Sequence, residues 1–166
     1  KKPTDIKNLT EEETILLRKF VRALETTEAI DPKYEKTLDL LKNEKWMERG
    51  TIIFSQYLVT ARWIADRLSK EFTEEIIGLY AGGTASGIYE DGKFKVKDKE
   101  TIKEMVRSKG IKILVGTDSA SEGLNLQTLG SLINIDLPWN PTKLEQRKGR
   151  IQRIGQQYDT IYIYNM

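Results

Sequence analysis

The chain has 166 residues, with 27 lysines and arginines against 25 acidic residues, and it contains neither cysteine nor histidine. Disulfides, cysteine or histidine metal ligands, thiol nucleophiles and imidazole bases are therefore excluded. Because the net charge is only +2, a site for a polyanion has to be a local cluster rather than the field of the whole molecule.

The N-terminal part of the sequence predicts two helices. Thr10 to Glu13 has the pattern of a capping box, and apolar residues follow at helical spacing, so we predict a helix over about 11–27. Asp31-Pro32 is a second start signal, and helical periodicity then continues to Arg49-Gly50. The chain opens on lysine and its first methionine is Met47, so we expect it to be a piece of a longer polypeptide.

From residue 51 onward the sequence alternates between strands and helices. Short apolar runs rich in β-branched residues are separated by segments with helical periodicity; the runs are TIIFS, EIIGLY, IKILVG, SLINID and TIYIYNM. This alternation predicts an α/β domain over residues 31–166, a mainly parallel sheet with helices on both faces, preceded by a helical brace or linker in residues 1–30. The loops after Phe54, Val115 and Asp136 are then expected at one edge of the sheet, where such sheets bind ligands.

One segment imitates a phosphate-binding loop. GIYEDGKF, residues 87–94, has the glycine and lysine spacing of such a loop, but Phe94 stands where a hydroxyl is needed to bind Mg²⁺. Asp91-Gly92 is a preferred two-residue turn between segments in which apolar and polar residues nearly alternate, so we predict a β-hairpin in an insertion over about 82–99. Its alternating lysines could touch DNA or be solvated; they are Lys93, Lys95, Lys97 and Lys99. We expect them to be solvated, because acidic residues lie among them.

The segment after the IKILVG strand, TDSASEGLNLQ, is polar and contains glycine. Its backbone amides could face an anion, or it could be an ordinary strand-to-helix connection with capping serines. The loop alone favours neither interpretation.

Three arginines in the last third of the chain require a counter-charge. Pro141 is predicted to begin a helix that carries Arg147, Arg150 and Arg153, which would form a ridge along one side. Nucleic acid, nucleotide phosphate, a partner's carboxylates and water are the candidates that could face this ridge. Gly149 costs about 1 kcal/mol relative to alanine inside a helix, which favours close approach by a phosphate over a solvated basic face.

Trp139 lies just before this helix, between Pro138 and Pro141. It could offer a stacking platform for a base. We expect it instead to pack against the two prolines at the edge of the core, as aromatic residues near prolines usually do.

Three segments in a fixed order resemble a known family. They are TIIFSQY, GTDSASEGLNLQ and LINIDLPWNPTKLEQRKGRIQRIGQ. From about Lys36 to the C-terminus the chain resembles the second RecA-like domain of superfamily-two helicases. It is most similar to Swi/Snf-type double-stranded DNA translocases, in particular bacterial members that resemble the RNA-polymerase-associated recycling factor. Eukaryotic remodellers commonly have Ala-His where this chain has Ile151-Gln152, so the resemblance implies no remodelling role.

The resemblance implies that ATP and Mg²⁺ lie between two RecA-like domains, of which the N-terminal one supplies the phosphate loop and holds the metal. Arg153 would be the finger that neutralises the γ-phosphoryl group, Arg150 its partner, and Gln146 would orient the nucleotide or the attacking water. Gly123 and Asn125 would approach the ribose and phosphates. No residue of this chain is expected to bind a metal ion.

The resemblance also implies a nucleic-acid site. Ser55, Gln56 and Thr117 would hydrogen-bond the phosphates of one strand, contacts that carry no base information. We therefore expect the C-terminal motor half of an ATP-dependent translocase, inactive as a fragment and monomeric, whose partners are its N-terminal RecA-like domain and duplex DNA. The expected location is the bacterial cytoplasm, on the nucleoid when DNA is bound, and not a membrane.

Two alternatives stay open at this stage. The chain could be a non-catalytic module that kept the fold to bind nucleic acid or a protein, or it could belong to an RNA helicase. In the isolated chain the arginine ridge is expected to be unsatisfied, mobile or occupied by a buffer anion.

Overall fold

The computed structural model describes residues 10–26, 31–118, 124 and 126–166. The chain divides into two compact units, Lys1–Asp31 and Pro32–Met166. Within the described ranges, no helix is both long enough and apolar enough to cross a membrane.

The first unit contains helix α1, Glu11–Thr26. The Thr10 amide donates to Glu13 Oε2 at 2.8 Å, and the Glu13 amide donates back to Thr10 Oγ1 at 3.3 Å. The hydrogen bonds from Thr10 lower the pKa of Glu13. The predicted capping box and its helix are therefore confirmed.

The second unit is built on a seven-stranded sheet. Its strands are β1 (Thr51–Ser55), β2 (Ile77–Tyr80), β3 (Gly87–Glu90), β4 (Lys93–Val96), β5 (Ile113–Thr117), β6 (Ser131–Asn134) and β7 (Tyr162–Asn165). Its helices of four residues or more are α2 (Pro32–Lys42), α3 (Trp46–Arg49), α4 (Leu58–Glu71), α5 (Lys99–Arg107) and α6 (Pro141–Ile151).

The strand order is β4-β3-β2-β5-β1-β6-β7. Strands β2, β5, β1, β6 and β7 are parallel, whereas β3 and β4 add an antiparallel edge. Ile53 in the central strand is in register with Val115 on one side and Ile133 on the other. The predicted mainly parallel sheet is confirmed, and it places the carboxyl ends of β1, β5 and β6 together.

Helices cover both faces of the sheet. Ile53 of β1 packs in a core cluster with residues of α2, α3 and α4. Its neighbours Ile52 and Phe54 point the other way, into a second cluster that includes Ile102 of α5 and Ile151 of α6. Because successive side chains in a strand alternate between faces, one apolar strand serves both cores.

The prediction of one continuous helix up to Arg49 is wrong. Helix α2 ends at Lys42 and α3 begins at Trp46, because Lys45 adopts the left-handed conformation with φ of 59°. The break lets Trp46 enter the core, where it is 6% exposed, and its backbone oxygen accepts a hydrogen bond from Thr51 Oγ1 at 3.0 Å. Burial of a large aromatic side chain offsets the loss of helical continuity.

The predicted hairpin is confirmed. Strands β3 and β4 pair from Gly87 opposite Val96 to Glu90 opposite Lys93. Asp91 and Gly92 have φ of 52° and 69°, as a two-residue turn that matches the strand twist requires. The segment that imitates a phosphate loop is therefore a pair of strands.

Candidate functional site

The loops that follow β1 and β6 meet at the carboxyl edge of the sheet. Ser55 Oγ donates to Asp136 Oδ2 at 2.6 Å. The Gln56 amide donates to both oxygens of the same carboxylate, at 2.9 and 3.1 Å. Ser55 Oγ also accepts a hydrogen bond from the Tyr57 amide at 3.1 Å. One carboxylate thus fixes the start of the turn at residues 55–57.

Arg147 of α6 joins this cluster and is only 1% exposed. Its Nε and Nη2 donate to the two carboxylate oxygens of Asp118, at 2.6 and 3.0 Å. Its Nη1 donates to Asn134 Oδ1 and to the backbone oxygen of Asp136, both at 2.9 Å, and Nη2 also lies 3.4 Å from Asp136 Oδ1. All five N–H groups of the guanidinium therefore have acceptors.

This arrangement overturns the expected arginine ridge. Arg147 lies on the inward side of α6 with half-buried Leu144 and buried Ile151, and its guanidinium lies over the Phe54 ring at 5.4 Å. Its counter-charges are carboxylates of the same domain, so it is neither unsatisfied nor available to an external anion. The spacing of Leu144, Arg147 and Ile151 is the helical i, i+3, i+7 pattern that could have revealed this position from the sequence.

Arg150 is in a different situation. Its side chain is partly exposed, yet its Nε is buried and has no hydrogen-bond partner in the described part of the chain. Its backbone oxygen accepts from the Leu126 amide at 3.1 Å, which fixes this turn of α6 against Leu126. A buried donor without an acceptor is rare in folded proteins, and strain, a catalytic role or a bound water or ion can account for one.

Gly149 lies in the same helical turn. Among the described residues, no heavy atom that could obstruct a side chain lies within 4 Å of the position that a Cβ would occupy. Packing against these residues therefore does not require the glycine, which leaves open space next to Arg150.

Arg153 does not lie on α6, contrary to the sequence prediction. The helix ends at Ile151, and the turn that follows contains Gly155 with φ of 87°. Gln156 Nε2 donates to the Ile151 backbone oxygen at 2.7 Å, which holds this turn against the end of the helix. Arg153 is exposed, and its Nε donates to the backbone oxygen of Gly149 at 2.9 Å, so it folds back toward the open space.

The remaining predicted site residues have different surroundings. Gln146 is exposed on α6, and Thr117 is buried at the end of β5, where it is 3% exposed. Gln56 is half-buried, and its Nε2 lies 3.4 Å from the Leu137 backbone oxygen. Ser55 is fully buried. Gly123 and Asn125 lie outside the described residues.

The expectation that Trp139 packs at the edge of the core is wrong. Its side chain is 102% exposed, whereas Pro138 beside it is buried. Asn140 caps α6 by accepting from the Thr142 amide at 3.0 Å, so the chain turns sharply here and leaves the indole in solvent. An indole at this carboxyl edge has no apolar cover in the described structure.

The lysines of the hairpin lie on the surface. Lys93, Lys95 and Lys97 are exposed, while Lys99 lies over the Tyr80 ring at 5.3 Å. Lys95 forms an ion pair with Glu90, and this hydrogen bond lowers the pKa of the Glu90 carboxyl. Across the described ranges, no group of three or more acidic side chains is placed to hold a metal ion.

The chain is similar to known proteins in sequence and in fold. The family model of the helicase conserved C-terminal domain matches residues 32–155. The chain is 37% identical over 131 residues to the Bacillus subtilis protein named uncharacterized ATP-dependent helicase YqhH, across 79% of this chain and 21% of that protein. It is 28% identical over 120 residues to the RNA polymerase-associated protein RapA of Vibrio vulnificus, across 63% of this chain and 12% of that protein.

A solved structure shares the fold. The C-terminal part of the Fun30 ATPase domain is similar with a TM-score of 0.60 at 19% identity, over 97% of this chain and 51% of that chain. The chain spans less than a quarter of the length of YqhH or RapA. The family match, the parallel sheet and the order of the segments confirm the resemblance to the second RecA-like domain of superfamily-two helicases. The chain belongs to the family of helicase conserved C-terminal domains.

Proposed function

We propose that this domain is the C-terminal half of an ATP-dependent nucleic-acid translocase that moves on duplex DNA. In this proposal it works with a preceding RecA-like domain of the same polypeptide, which holds ATP and Mg²⁺. The two domains together are called the two-domain motor below. The similarity to proteins named as an ATP-dependent helicase and as RapA supports this division of work.

The buried Nε of Arg150 is the observation that carries the proposal. A guanidinium N–H without an acceptor costs free energy, and an anion bound by the partly exposed side chain would offset that cost if the guanidinium turned toward it. The open space at Gly149 lets such an anion approach the helix backbone, and the exposed Arg153 lies beside it. This donor set suits the oxygens of a terminal phosphate.

Bound ATP supplies the phosphoryl group that is transferred to water. Arg150 and Arg153 place cationic N–H donors where negative charge develops in the transition state. Gln146 lies one helical turn before Arg150 on the same side of α6, so its exposed amide can orient the nucleotide or the attacking water. Gly123 and Asn125 are proposed to approach the ribose and phosphates.

The nucleic-acid contacts are proposed at the carboxyl edge. Gln56 and Trp139 are among the side chains there that reach solvent, and Thr117 ends the neighbouring strand. The Ser55 hydroxyl is already used by Asp136, so its part is to hold the turn that presents Gln56. An amide can bind backbone phosphate, and an exposed indole can contact nucleic acid without reading sequence.

Steady-state ATP turnover tests the proposal. We expect the two-domain motor to be stimulated most by duplex DNA, less by single-stranded DNA and least by RNA. The 166-residue chain alone should not turn over ATP, because its described residues contain no phosphate-binding loop.

Other outcomes would select other functions. Stimulation by RNA alone would identify an RNA helicase, and nucleic-acid binding without turnover would identify a binding module. Turnover by the isolated chain would overturn the assignment of ATP binding to the other domain.

Substitution of Gly149 by alanine should separate stability from activity. The isolated chain should gain about 1 kcal/mol in its free energy of unfolding, because alanine favours the helix and its Cβ meets none of the described residues. In the two-domain motor ATP turnover should fall by about tenfold or more, because the methyl group displaces the phosphate from Arg150. Urea unfolding and ATPase assays measure the two effects.

Gly110→Ala is the matched control. The Cβ at Gly110 would make only ordinary contacts, 3.4 Å from the Met105 backbone oxygen, so turnover should be unchanged. Unchanged turnover in Gly149→Ala would show that nothing approaches this helix during the reaction.

A further inference from the structure

The side chain of Asp136 bonds both the turn at residues 55–57 and the arginine-bearing helix α6. Asp136 Oδ2 accepts from Ser55 Oγ, and both of its oxygens accept from the Gln56 amide. Asp136 Oδ1 and its backbone oxygen accept from Arg147. Asp136 therefore lies between a surface turn and the inward side of α6.

We propose that Asp136 is a positioning residue that couples nucleic-acid contact at the 55–57 turn to the placement of Arg150 through Arg147. The inference rests on the proposed function and adds a path between its two sites. Asp136 itself touches neither nucleotide nor nucleic acid in this proposal.

The contacts around Arg147 form a rigid network. The Arg147 guanidinium is fully buried, uses all of its donors and is held by the bidentate pair with Asp118 at the end of β5. Buried networks with every donor satisfied resist rearrangement, so a displacement of one member shifts the others. Arg150 is three residues further along α6, a rise of about 4.5 Å, so a shift of Arg147 reaches it through rigid helix.

The turn at residues 55–57 is accessible to a ligand. Gln56 is half-buried and Tyr57 is 64% exposed, while the backbone amide of Gln56 is bound directly by Asp136. A phosphate that binds the Gln56 side chain therefore displaces Gln56, whose backbone amide is hydrogen-bonded to Asp136. Thr117 is a second predicted contact to nucleic-acid phosphate, and the next residue, Asp118, binds the Arg147 guanidinium.

Asp136→Asn in the two-domain motor is the direct test. Asparagine has one acceptor oxygen and one NH₂ group. In one orientation the NH₂ group faces the donors of Ser55 and Gln56, and in the other it faces the donors of Arg147. We expect the ratio of DNA-stimulated to basal ATP turnover to fall by about tenfold, the effect of one lost charge-assisted hydrogen bond. The matched control is Asp39→Asn, which removes a surface carboxylate paired with Lys36 and should leave the ratio unchanged.

A second experiment keeps the inference testable if Asp136→Asn folds poorly. Ser55→Ala and Arg147→Lys alter opposite ends of the path without contacting each other, so independent effects on the stimulation ratio would multiply. Coupling through Asp136 predicts that the double variant is no worse than the more severe single variant.

The outcomes separate the inference from the proposed function. A stimulation ratio in Asp136→Asn that stays within twofold of the wild type, or multiplicative effects in the double variant, would overturn the coupling alone. A parallel loss of basal and stimulated turnover with an unchanged ratio would assign Asp136 a merely structural role. A wild-type motor that no nucleic acid stimulates would overturn the proposed function and the coupling with it.

Discussion

Arg153→Ala in the two-domain motor is expected to lower ATP turnover by about 10³ while ATP binding is largely kept. An arginine finger stabilises charge that is complete only in the transition state, so its loss affects the rate more than the affinity. Arg153 is exposed beyond the end of α6, and its Nε holds only the backbone oxygen of Gly149, so the substitution should not disturb the fold.

The measurement is steady-state ATPase at saturating ATP and duplex DNA, together with direct titration of ATP binding. Arg62→Ala is the control, because Arg62 is an exposed arginine on α4. The buried residues of α4 pack with Ile53, in the core cluster on the face of the sheet opposite α6. A variant that keeps more than about a tenth of the turnover would contradict the finger assignment.

Arg147→Ala should be the most destabilising substitution in the domain's polar network. Removal of one partner from a buried ion pair leaves the other charge uncompensated, at a cost of about 3–5 kcal/mol. Here the carboxylates left behind are those of Asp118 and Asp136, whose side chains are 17% and 19% exposed. Urea unfolding of the 166-residue chain gives the change in free energy of unfolding.

Arg150→Ala is the matched control on the same helix. Because its Nε has no partner in the described structure, we expect a loss below about 1 kcal/mol. A comparable loss in both variants would show that α6 is sensitive to truncation in general. A loss below about 1 kcal/mol for Arg147→Ala would show that desolvation cancels the attraction within the pair.

The strands and the hairpin could be predicted because their signals are local. The run TIIFS is apolar on both faces, as a buried parallel strand requires, and Asp91-Gly92 specifies its turn by itself. The interruption at Lys45 could not be predicted, because the helical period continues through it. Only the core that receives Trp46 determines that the chain turns there.

For the site too, local sequence signals were sufficient for some predictions, and contacts between separate segments decided the rest. The ordered segments indicate the family, but spacing by three predicted that Arg147, Arg150 and Arg153 form one ridge on the helix. Their environments differ because Asp118, which follows β5, and Asp136, which follows β6, both pair with Arg147. Trp139 was misjudged for a related reason, since proximity in sequence to prolines does not decide which side of the chain is covered.

The edge strand β4 affects how two copies of the chain can associate. An unpaired strand edge is a template for strand pairing between molecules, and such pairing leads to aggregation. β4 has four residues, and lysines at positions 93, 95 and 97 recur at every second position along and just beyond it. Like charges repel when two such edges approach, so these lysines disfavour pairing between the β4 strands of two molecules.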